Sequence, residues 1–333
     1  MDSPRVLVTT RSFRKMPGPH QDILNEANCE IVNSPVDRPL EASELADLLV
    51  GIDAAILGVD DVSAEALSKA DRLKVISRYG VGVDRVDLAA ATAGGIVVTN
   101  TPGGNTNAVA ELTLAFMLAL ARNIPCQDRR IRAEDWSLMK GVELAGKTLG
   151  LLGIGRIGQR VAELAQVFGM RILFCDPYPP ADEFVARVGA EACTQEVLFG
   201  QSDFLSLHLP LTTETRNVID ADTISQMKPG AFIINTARGG LIDEAALLAA
   251  LESGRIAGVA FDAFEVEPSL GNPLIAHDNF ISTPHIGSST EQTTLRMGLM
   301  ASQNALAVLR GERPEHVVNP EVYERIRQDE TGS

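Results

Sequence analysis

Gly153-Ile154-Gly155-Arg156-Ile157-Gly158 is the stretch that decides the fold of this 333-residue chain. An apolar, strand-like run at 148–152 precedes it, and an amphipathic helical pattern follows at once. The next apolar run ends in an acidic residue, Asp176, about twenty residues after the glycines. A Gly-x-Gly-x-x-Gly string is weak evidence alone, but strand, glycines, helix and acid together form the fingerprint of a dinucleotide-binding unit.

The three glycines of this fingerprint predict how a dinucleotide binds. Gly153, Gly155 and Gly158 let the turn fold tightly and let the main chain approach a pyrophosphate, whose charge is stabilised by free N–H groups and by the helix dipole. Asp176 is expected to accept hydrogen bonds from the ribose hydroxyls and to repel a 2′-phosphate. The sequence therefore predicts NAD, and not NADP, as the cofactor.

Composition is typical of a globular protein, with 45% hydrophobic and 22% charged residues. The net charge of −15 argues against nucleic acid or an anionic membrane as a partner, because both polyanions are repelled. The first residues show no basic segment followed by a long apolar core, so we expect a cytoplasmic protein. The four cysteines lack metal-site or disulfide spacing, and no metal site is predicted.

Short β-branched runs alternate with helical patterns in two series, which predicts two doubly wound α/β domains with parallel sheets. The second series begins at 148, and a long helical pattern at 291–309 is available to return to the first. We therefore expect residues 1–101 and 289–333 to form one domain, residues 102–288 to form the other, and a cleft to lie between them. The predicted strands are 6–9, 30–32, 54–57, 75–77, 96–98, 148–152, 172–175, 204–209, 232–234, 258–261 and 280–282.

Three polar residues that suit a hydride-transfer reaction follow strands in the second series. Arg238, Glu267 and His285 each come after an apolar run, and ligands of open parallel sheets bind beyond the carboxyl ends of strands. Histidine can exchange the proton that moves on the substrate oxygen, a nearby carboxylate favours its charged form, and arginine presents a planar fork to a carboxylate. Each residue alone is more often structural or solvated, but as a set behind a dinucleotide loop they indicate an active site.

The other histidines are weaker candidates. His208 ends a predicted strand and can border the cofactor, but its flanking sequence offers no carboxylate partner. His20, His277 and His316 lie in polar or loop-like sequence and are expected to be structural or solvated.

These motifs together resemble those of the D-isomer-specific 2-hydroxyacid dehydrogenases, close to the phosphoglycerate dehydrogenase branch. The likeness covers nearly all of the chain from 53 to 320. Besides the fingerprint, it rests on Gly80-Val81-Gly82-Val83-Asp84, Asn100-Thr101-Pro102, Ala110-Glu111-Leu112, 236–240, Glu267-Pro268 and Pro284-His285-Ile286-Gly287.

The resemblance implies a flavodoxin-like substrate domain beside a Rossmann NAD-binding domain. It implies Arg238, Glu267 and His285 as the catalytic set. It also implies a homodimer, built by the mid-chain helix at 108–122 and the arm that follows it.

The resemblance further implies particular contacts with substrate and cofactor. The substrate would contact Arg78 and Arg238, and the backbone of Val81 and Gly82 would clamp its carboxylate. The implied cofactor contacts, with Asp262 at the nicotinamide carboxamide, are Gly153, Gly155, Arg156, Ile157, Gly158, Asp176, Thr236, Ala237, Asp262, His285 and Ser288.

One departure from the family concerns the substrate pocket. Phosphoglycerate dehydrogenases have an arginine–serine pair for the substrate phosphate at the end of the third strand, where this chain has Leu57-Gly58. Arg78 matches a second arginine of the family, so a phosphorylated substrate remains an alternative.

The sequence thus predicts an NAD-dependent D-2-hydroxyacid dehydrogenase, which transfers hydride between NAD(H) and a small 2-hydroxy or 2-oxo acid. One alternative is a D-3-phosphoglycerate dehydrogenase. Another is a non-catalytic, NAD-sensing corepressor-like protein, which would bind NADH without turnover. A Rossmann methyltransferase or epimerase is disfavoured by the family-wide likeness and by the order of the arginine, glutamate and histidine.

Overall fold

The computed structural model of the protein describes residues 3–331. They divide into two units, with boundaries between Asn105 and Thr106 and between Gly287 and Ser288. The first unit holds the N-terminal and C-terminal segments, and the second holds the segment between them. The boundaries expected from the sequence, at 101/102 and 288/289, lie four residues earlier and one residue later.

Parallel strands alternate with helices along the chain. The strands are β1 (Arg5–Val8), β2 (Glu30–Asn33), β3 (Ala54–Leu57), β4 (Val75–Arg78), β5 (Val97–Thr99), β6 (Thr148–Leu152), β7 (Arg171–Cys175), β8 (Ala190–Ala192), β9 (Phe204–Leu207), β10 (Ala231–Asn235), β11 (Ile256–Phe261) and β12 (Phe280–Ser282). The helices are α1 (Arg11–Lys15), α2 (Pro19–Glu26), α3 (Ala42–Leu48), α4 (Ala64–Leu67), α5 (Leu88–Ala93), α6 (Thr106–Ala121), α7 (Ile124–Arg132), α8 (Arg156–Val167), α9 (Asp182–Val188), α10 (Gln195–Gln201), α11 (Ala221–Gln226), α12 (Glu244–Glu252), α13 (Glu291–Leu309) and α14 (Val322–Thr331). A 3₁₀ turn spans Pro273–Ala276.

The first unit is a five-stranded parallel sheet with the strand order β2-β1-β3-β4-β5. Successive side chains of a strand point to opposite faces. Leu7 accordingly belongs to one apolar cluster, whereas Val6 and Val8 belong to another on the opposite face. Helix α13 packs against α2 and β4, so the chain returns to this unit as the sequence predicted.

The second unit is a seven-stranded parallel sheet with the order β12-β11-β10-β9-β6-β7-β8. All five residues of β6 are buried, which explains its continuous apolar run. From β6 the chain builds outward through β7 and β8 on one side, and through β9 to β12 on the other. The order therefore reverses at β6 and β9, and ligands of such sheets bind at this switch point.

Helix α6 is apolar around most of its circumference. Nine of its 16 residues are buried, and it packs against α8, β10 and β11. Within the described residues, no single helix is long and apolar enough to cross a membrane, and α6 and α7 reach that length and composition only as a pair bent by 59°.

Most predicted strands agree with the structure to within two residues at each end, and two differences have physical reasons. Strand β8 was not predicted, because it is three residues long and only Ala190 in it is buried. Strand β9 ends at Leu207, two residues earlier than predicted, and the chain leaves the ladder ahead of Pro210, which has no N–H to donate.

Candidate active site

The glycine loop between β6 and α8 has the geometry that a pyrophosphate needs. Gly153 has a left-handed φ of 94°, and a side chain there would lie 2.7 Å from the carbonyl oxygen of His208. A side chain at Gly158 would lie 2.5 Å from the carbonyl oxygen of Gly153, so only glycine lets the helix pack this closely. Gly155 has open space in front of it, which leaves its backbone accessible to a ligand.

The start of α8 places unpaired N–H groups beside this loop. Arg156 and Ile157 are its first two residues, and N–H groups in the first turn of a helix have no intrahelical acceptor. Within the described residues, neither N–H donates to another backbone or side-chain group. Together with the helix dipole, they fit the negative charge of a dinucleotide pyrophosphate.

Asp176 follows β7 and is held by the glycine loop itself. Its carboxylate accepts hydrogen bonds from the N–H groups of Ile154 and Tyr178, both at 2.7 Å. Hydrogen bonds to an ionised acceptor are short and strong, so the negative charge is fixed beside the loop. From this position a carboxylate can meet the ribose of a dinucleotide, the role that the sequence predicts.

Replacing Asp176 by alanine is expected to weaken NADH binding about ten- to a hundredfold and to reduce the preference for NADH over NADPH. A hydrogen bond to a charged group contributes about 1.5–3 kcal/mol, and the carboxylate repels a 2′-phosphate. Titrations followed by cofactor fluorescence measure both affinities. Asp176→Asn is the matched variant, since it keeps the size but removes the charge. Equal affinities of the unaltered protein for NADH and NADPH would contradict the prediction.

His285 and Glu267 form a hydrogen-bonded couple after strands β12 and β11. The Nδ1 atom of His285 lies 3.1 and 3.0 Å from the two carboxylate oxygens of Glu267. The same carboxylate accepts a hydrogen bond from the N–H of Phe264 at 3.0 Å. The bond to Glu267 raises the pKa of His285 above its ordinary 6.5, although burial acts in the opposite direction. Because Nδ1 faces Glu267, Nε2 is the nitrogen that can exchange a proton with a substrate.

Asp262 holds the segment around His285, whose backbone is left-handed with a φ of 53°. Its carbonyl oxygen accepts a hydrogen bond from the N–H of His285 at 2.9 Å. Its carboxylate accepts three more, from the N–H groups of Ile286 at 2.7 Å and Gly287 at 2.8 Å and from the hydroxyl of Thr283 at 2.6 Å. Asp262 is only 2% exposed. The structure thus shows it bracing this segment, and its contact with the nicotinamide stays a prediction.

Arg238 lies in the turn after β10, close to the other two predicted catalytic residues. Its carbonyl oxygen accepts a hydrogen bond from Nδ2 of Asn235 at 2.7 Å, and its guanidinium donates to the carbonyl oxygen of Ala237 at 2.8 Å. A side chain at the next residue, Gly239, would overlap the backbone of Phe264 in the segment that carries Glu267. The charge of Arg238 is near enough to oppose the rise in the pKa of His285.

The remaining predicted cofactor residues, Thr236, Ala237 and Ser288, differ in their settings. Thr236 is buried, and its hydroxyl is hydrogen-bonded to that of Thr113 at 2.9 Å. The N–H of Ala237 donates to Oδ1 of Asn235 at 3.1 Å. Ser288 is the first residue of the returning segment of the first unit. Their contacts with the cofactor stay predictions.

In the first unit, the predicted substrate residues Arg78, Val81 and Gly82 lie together at and after the end of β4. The sequence predicts Arg78 as an anion contact, yet its side chain points into the protein and Arg78 is 5% exposed. Its Nε donates to the carbonyl oxygen of Gly82 at 3.3 Å and its Nη1 to that of Leu57 at 3.2 Å. The reason is the sheet register, which pairs Arg78 with Leu57 at the end of β3.

The sequence did not indicate that the backbone of His208 packs against the glycine loop. Its carbonyl oxygen lies directly behind Gly153, and its ring is hydrogen-bonded to the hydroxyl of Ser206 at 2.9 Å. Enclosure by surrounding protein atoms lowers its pKa to about 3, so the ring stays neutral and structural. Its position directly after β9, the strand that neighbours β6, is the sequence feature that could have indicated this contact.

Comparison with known proteins agrees with this geometry. Residues 114–287 match the family model described as D-isomer specific 2-hydroxyacid dehydrogenase, NAD binding domain. The chain is 43% identical over 304 residues to a D-3-phosphoglycerate dehydrogenase of Methanocaldococcus jannaschii, covering 90% of this chain and 58% of that protein. It is 39% identical over 355 aligned positions to a glyoxylate reductase of Aeropyrum pernix, covering 98% of this chain and 99% of that protein.

A solved structure extends the likeness to three dimensions. The D-lactate dehydrogenase from Aquifex aeolicus, complexed with NAD and lactic acid, matches with a TM-score of 0.83 and 31% identity, covering 94% of this chain and 99% of that one. The chain thus spans 58% of the length of the phosphoglycerate dehydrogenase but nearly all of the glyoxylate reductase. Its second unit is an NAD-binding domain, and the protein belongs to the D-isomer-specific 2-hydroxyacid dehydrogenase family.

Proposed function

We propose that this protein reduces a small, unphosphorylated 2-oxo acid to the D-2-hydroxy acid with NADH. The observation that carries the proposal is the couple of His285 and Glu267, which lies in the same unit as the glycine loop. A hydride transfer to a carbonyl needs a dinucleotide site and a proton donor, and this unit has residues suited to both. The likeness to a glyoxylate reductase over its whole length supports the same substrate class.

The chain's own residues supply binding, orientation and the proton. NADH, when bound, supplies the hydride for the carbonyl carbon of the substrate. His285 donates its proton from Nε2 to the carbonyl oxygen as negative charge develops there. Glu267 orients the imidazole through Nδ1 and stabilises its positive charge before the transfer. Arg238 presents its guanidinium to the carboxylate and carbonyl oxygens of the substrate.

The end of β3 favours a substrate without phosphate. The N–H of Gly58, which replaces part of the family's phosphate-binding pair, donates to the carboxylate of Asp60 at 3.0 Å. That carboxylate also accepts hydrogen bonds from the hydroxyl of Thr9 at 2.5 Å and the N–H of Leu40 at 2.9 Å, and Asp60 is 2% exposed. A buried negative charge at this position repels a phosphate.

A kinetic panel with NADH tests the proposal. We expect kcat/KM for at least one of glyoxylate, pyruvate and hydroxypyruvate to exceed that for phosphohydroxypyruvate about ten- to a hundredfold, since a charge-assisted contact to phosphate contributes about 1.5–3 kcal/mol. If phosphohydroxypyruvate is the best substrate, the phosphoglycerate alternative holds, which the likeness to the Methanocaldococcus jannaschii enzyme favours. NADH binding without turnover of any acid would support the corepressor-like alternative.

We also propose that the protein is a homodimer. The sequence placed the interface at the helix 108–122 and the arm after it, but nine residues of α6 are buried and α6 packs against α8, β10 and β11, so we assign the interface to α7 and that arm instead. Trp136 and Leu138 in this arm are 82% and 91% exposed, and Ile124 and Ile131 in α7 are about half exposed. Large apolar side chains gathered in one exposed segment are typical of a surface that an interface covers.

Sedimentation at micromolar concentration is expected to give twice the mass of one chain. Changing both Trp136 and Leu138 to serine should give monomers, because it removes the apolar area that drives association. Val50→Ser, at a half-exposed valine in the first unit, is the control. A monomeric unaltered protein, or a double variant that stays dimeric, would contradict this interface.

A further inference from the structure

The segment between β4 and α5 contains three consecutive carbonyl groups that are all held by hydrogen bonds from outside the segment. The carbonyl oxygen of Gly80 accepts from the N–H of Thr101 at 3.0 Å. That of Val81 accepts from Nδ2 of Asn100 at 2.8 Å, and that of Gly82 accepts from Nε of Arg78 at 3.3 Å.

These bonds also determine where the N–H groups of the segment point. In a trans peptide the C=O and the following N–H lie in one plane and point in opposite directions. Fixing the carbonyls of residues 80–82 therefore fixes the N–H groups of Val81, Gly82 and Val83, which we term the amide cradle. Within the described residues, none of these three N–H groups donates to a protein acceptor. The cradle thus presents fixed donors to a ligand with negative charge.

Arg78 connects this cradle to the neighbouring strand. Its Nη1 donates to the carbonyl oxygen of Leu57, the last residue of β3, and its Nε donates to Gly82. The planar guanidinium can make both bonds at once because its donors form a rigid fork. Arg78 is 5% exposed, so its side chain lies inside the first unit while it holds these two carbonyl groups.

We propose that Arg78 and Asn100 are positioning residues, which hold the amide cradle in the geometry that binds the carboxylate of the substrate. In this arrangement Arg78 acts through Gly82 and Leu57, and it does not select for a phosphate. The inference rests on the proposed function, because it assigns residues to the carboxylate subsite of the same reaction.

The two possible roles of Arg78 predict different results for Arg78→Lys. Lysine keeps the positive charge, but its single nitrogen cannot reproduce the two hydrogen bonds that the guanidinium donates to the carbonyl oxygens of Gly82 and Leu57. If Arg78 positions the cradle, Arg78→Lys raises KM about tenfold or more, by the same factor for glyoxylate and phosphohydroxypyruvate, with a smaller change in kcat. If Arg78 binds phosphate directly, the lysine variant keeps most of the binding, and any loss is confined to phosphohydroxypyruvate.

Asn100→Ala provides a second variant that leaves the buried cation in place. Loss of its neutral hydrogen bond to Val81 is expected to raise KM for both acids about three- to tenfold. Arg85→Ala is the control, since Arg85 is an exposed cation on the same segment whose removal breaks no bond to the cradle. It should leave KM within about twofold of the unaltered value.

Binding of oxamate to the NADH complex, measured by calorimetry, completes the experiment without requiring turnover. Weaker oxamate binding in Arg78→Lys and Asn100→Ala, but not in Arg85→Ala, is the expected result. Unchanged oxamate binding and KM in Asn100→Ala would overturn the positioning role. An unaltered protein that binds NADH but neither reduces a 2-oxo acid nor binds oxamate would overturn the proposed function instead.

Discussion

Replacing His285 by alanine is expected to lower kcat for 2-oxo acid reduction about a hundredfold to ten-thousandfold, while NADH binding changes little. General acid catalysis by a positioned side chain typically contributes a factor of this size. His285 has the required setting, because its side chain is 35% exposed and Nδ1 is bound to Glu267, so Nε2 is the ring nitrogen left for a substrate. Steady-state turnover and a fluorescence titration with NADH measure the two effects separately.

Two variants make this result interpretable. The backbone at residue 285 is left-handed, a conformation that alanine adopts less readily than histidine or asparagine. His285→Asn therefore removes the proton donor without straining the turn, and it should lose turnover as the alanine variant does. His316→Ala, at a partly buried histidine of the first unit, should keep full turnover. Near-normal kcat in His285→Asn would remove His285 from the mechanism.

The glycine loop could be predicted from the sequence because each of its glycines answers a separate backbone constraint. Gly153 adopts a φ of 94°, Gly155 leaves its backbone open, and Gly158 lies against the carbonyl of Gly153. No other residue type meets all three constraints. The spacing of the glycines therefore predicted both the doubly wound fold and the NAD-binding domain. Both of these predictions are confirmed.

The nearness of Glu267 and His285 also followed from local pattern. Each comes after an apolar run, and the carboxyl ends of parallel strands meet at one edge of a sheet. Strands β11 and β12 are direct neighbours, which brings the two side chains to hydrogen-bonding distance. Their catalytic roles stay predictions until the variants are measured.

Arg78 shows what the sequence could not indicate. Its family motif suggested an anion contact, but its direction depends on the register of β4 against β3, which brings the carbonyl of Leu57 within reach. The bracing role of Asp262 was hidden for a similar reason, since its partners Thr283, Ile286 and Gly287 lie more than twenty residues away. Hydrogen bonds between residues far apart in the chain produce no periodic pattern in the sequence, so they could not be predicted from it.

Glu267→Gln is expected to lower kcat/KM for reduction at alkaline pH and to shift the alkaline limb of its pH profile to lower pH. The hydrogen bond to Glu267 is the largest influence that raises the pKa of His285, so its loss lowers that pKa. The couple is partly exposed, so screening by solvent limits the size of this effect.

The direction of the shift follows from the protonation state that each reaction needs. Reduction requires the protonated imidazole, which is lost as pH rises through its pKa, so a lower pKa ends the active range earlier. Oxidation of the hydroxy acid requires the neutral imidazole, so its acid limb should also move to lower pH and the variant should gain relative activity there. Glu265→Gln is the matched control, because Glu265 lies two residues away, pairs with Arg216 at 2.7 Å and is half exposed. Identical profiles for the Glu267→Gln variant and the unaltered protein would show that Glu267 does not set the protonation of His285, since the hydrogen bond to its carboxylate is the largest influence that raises that pKa.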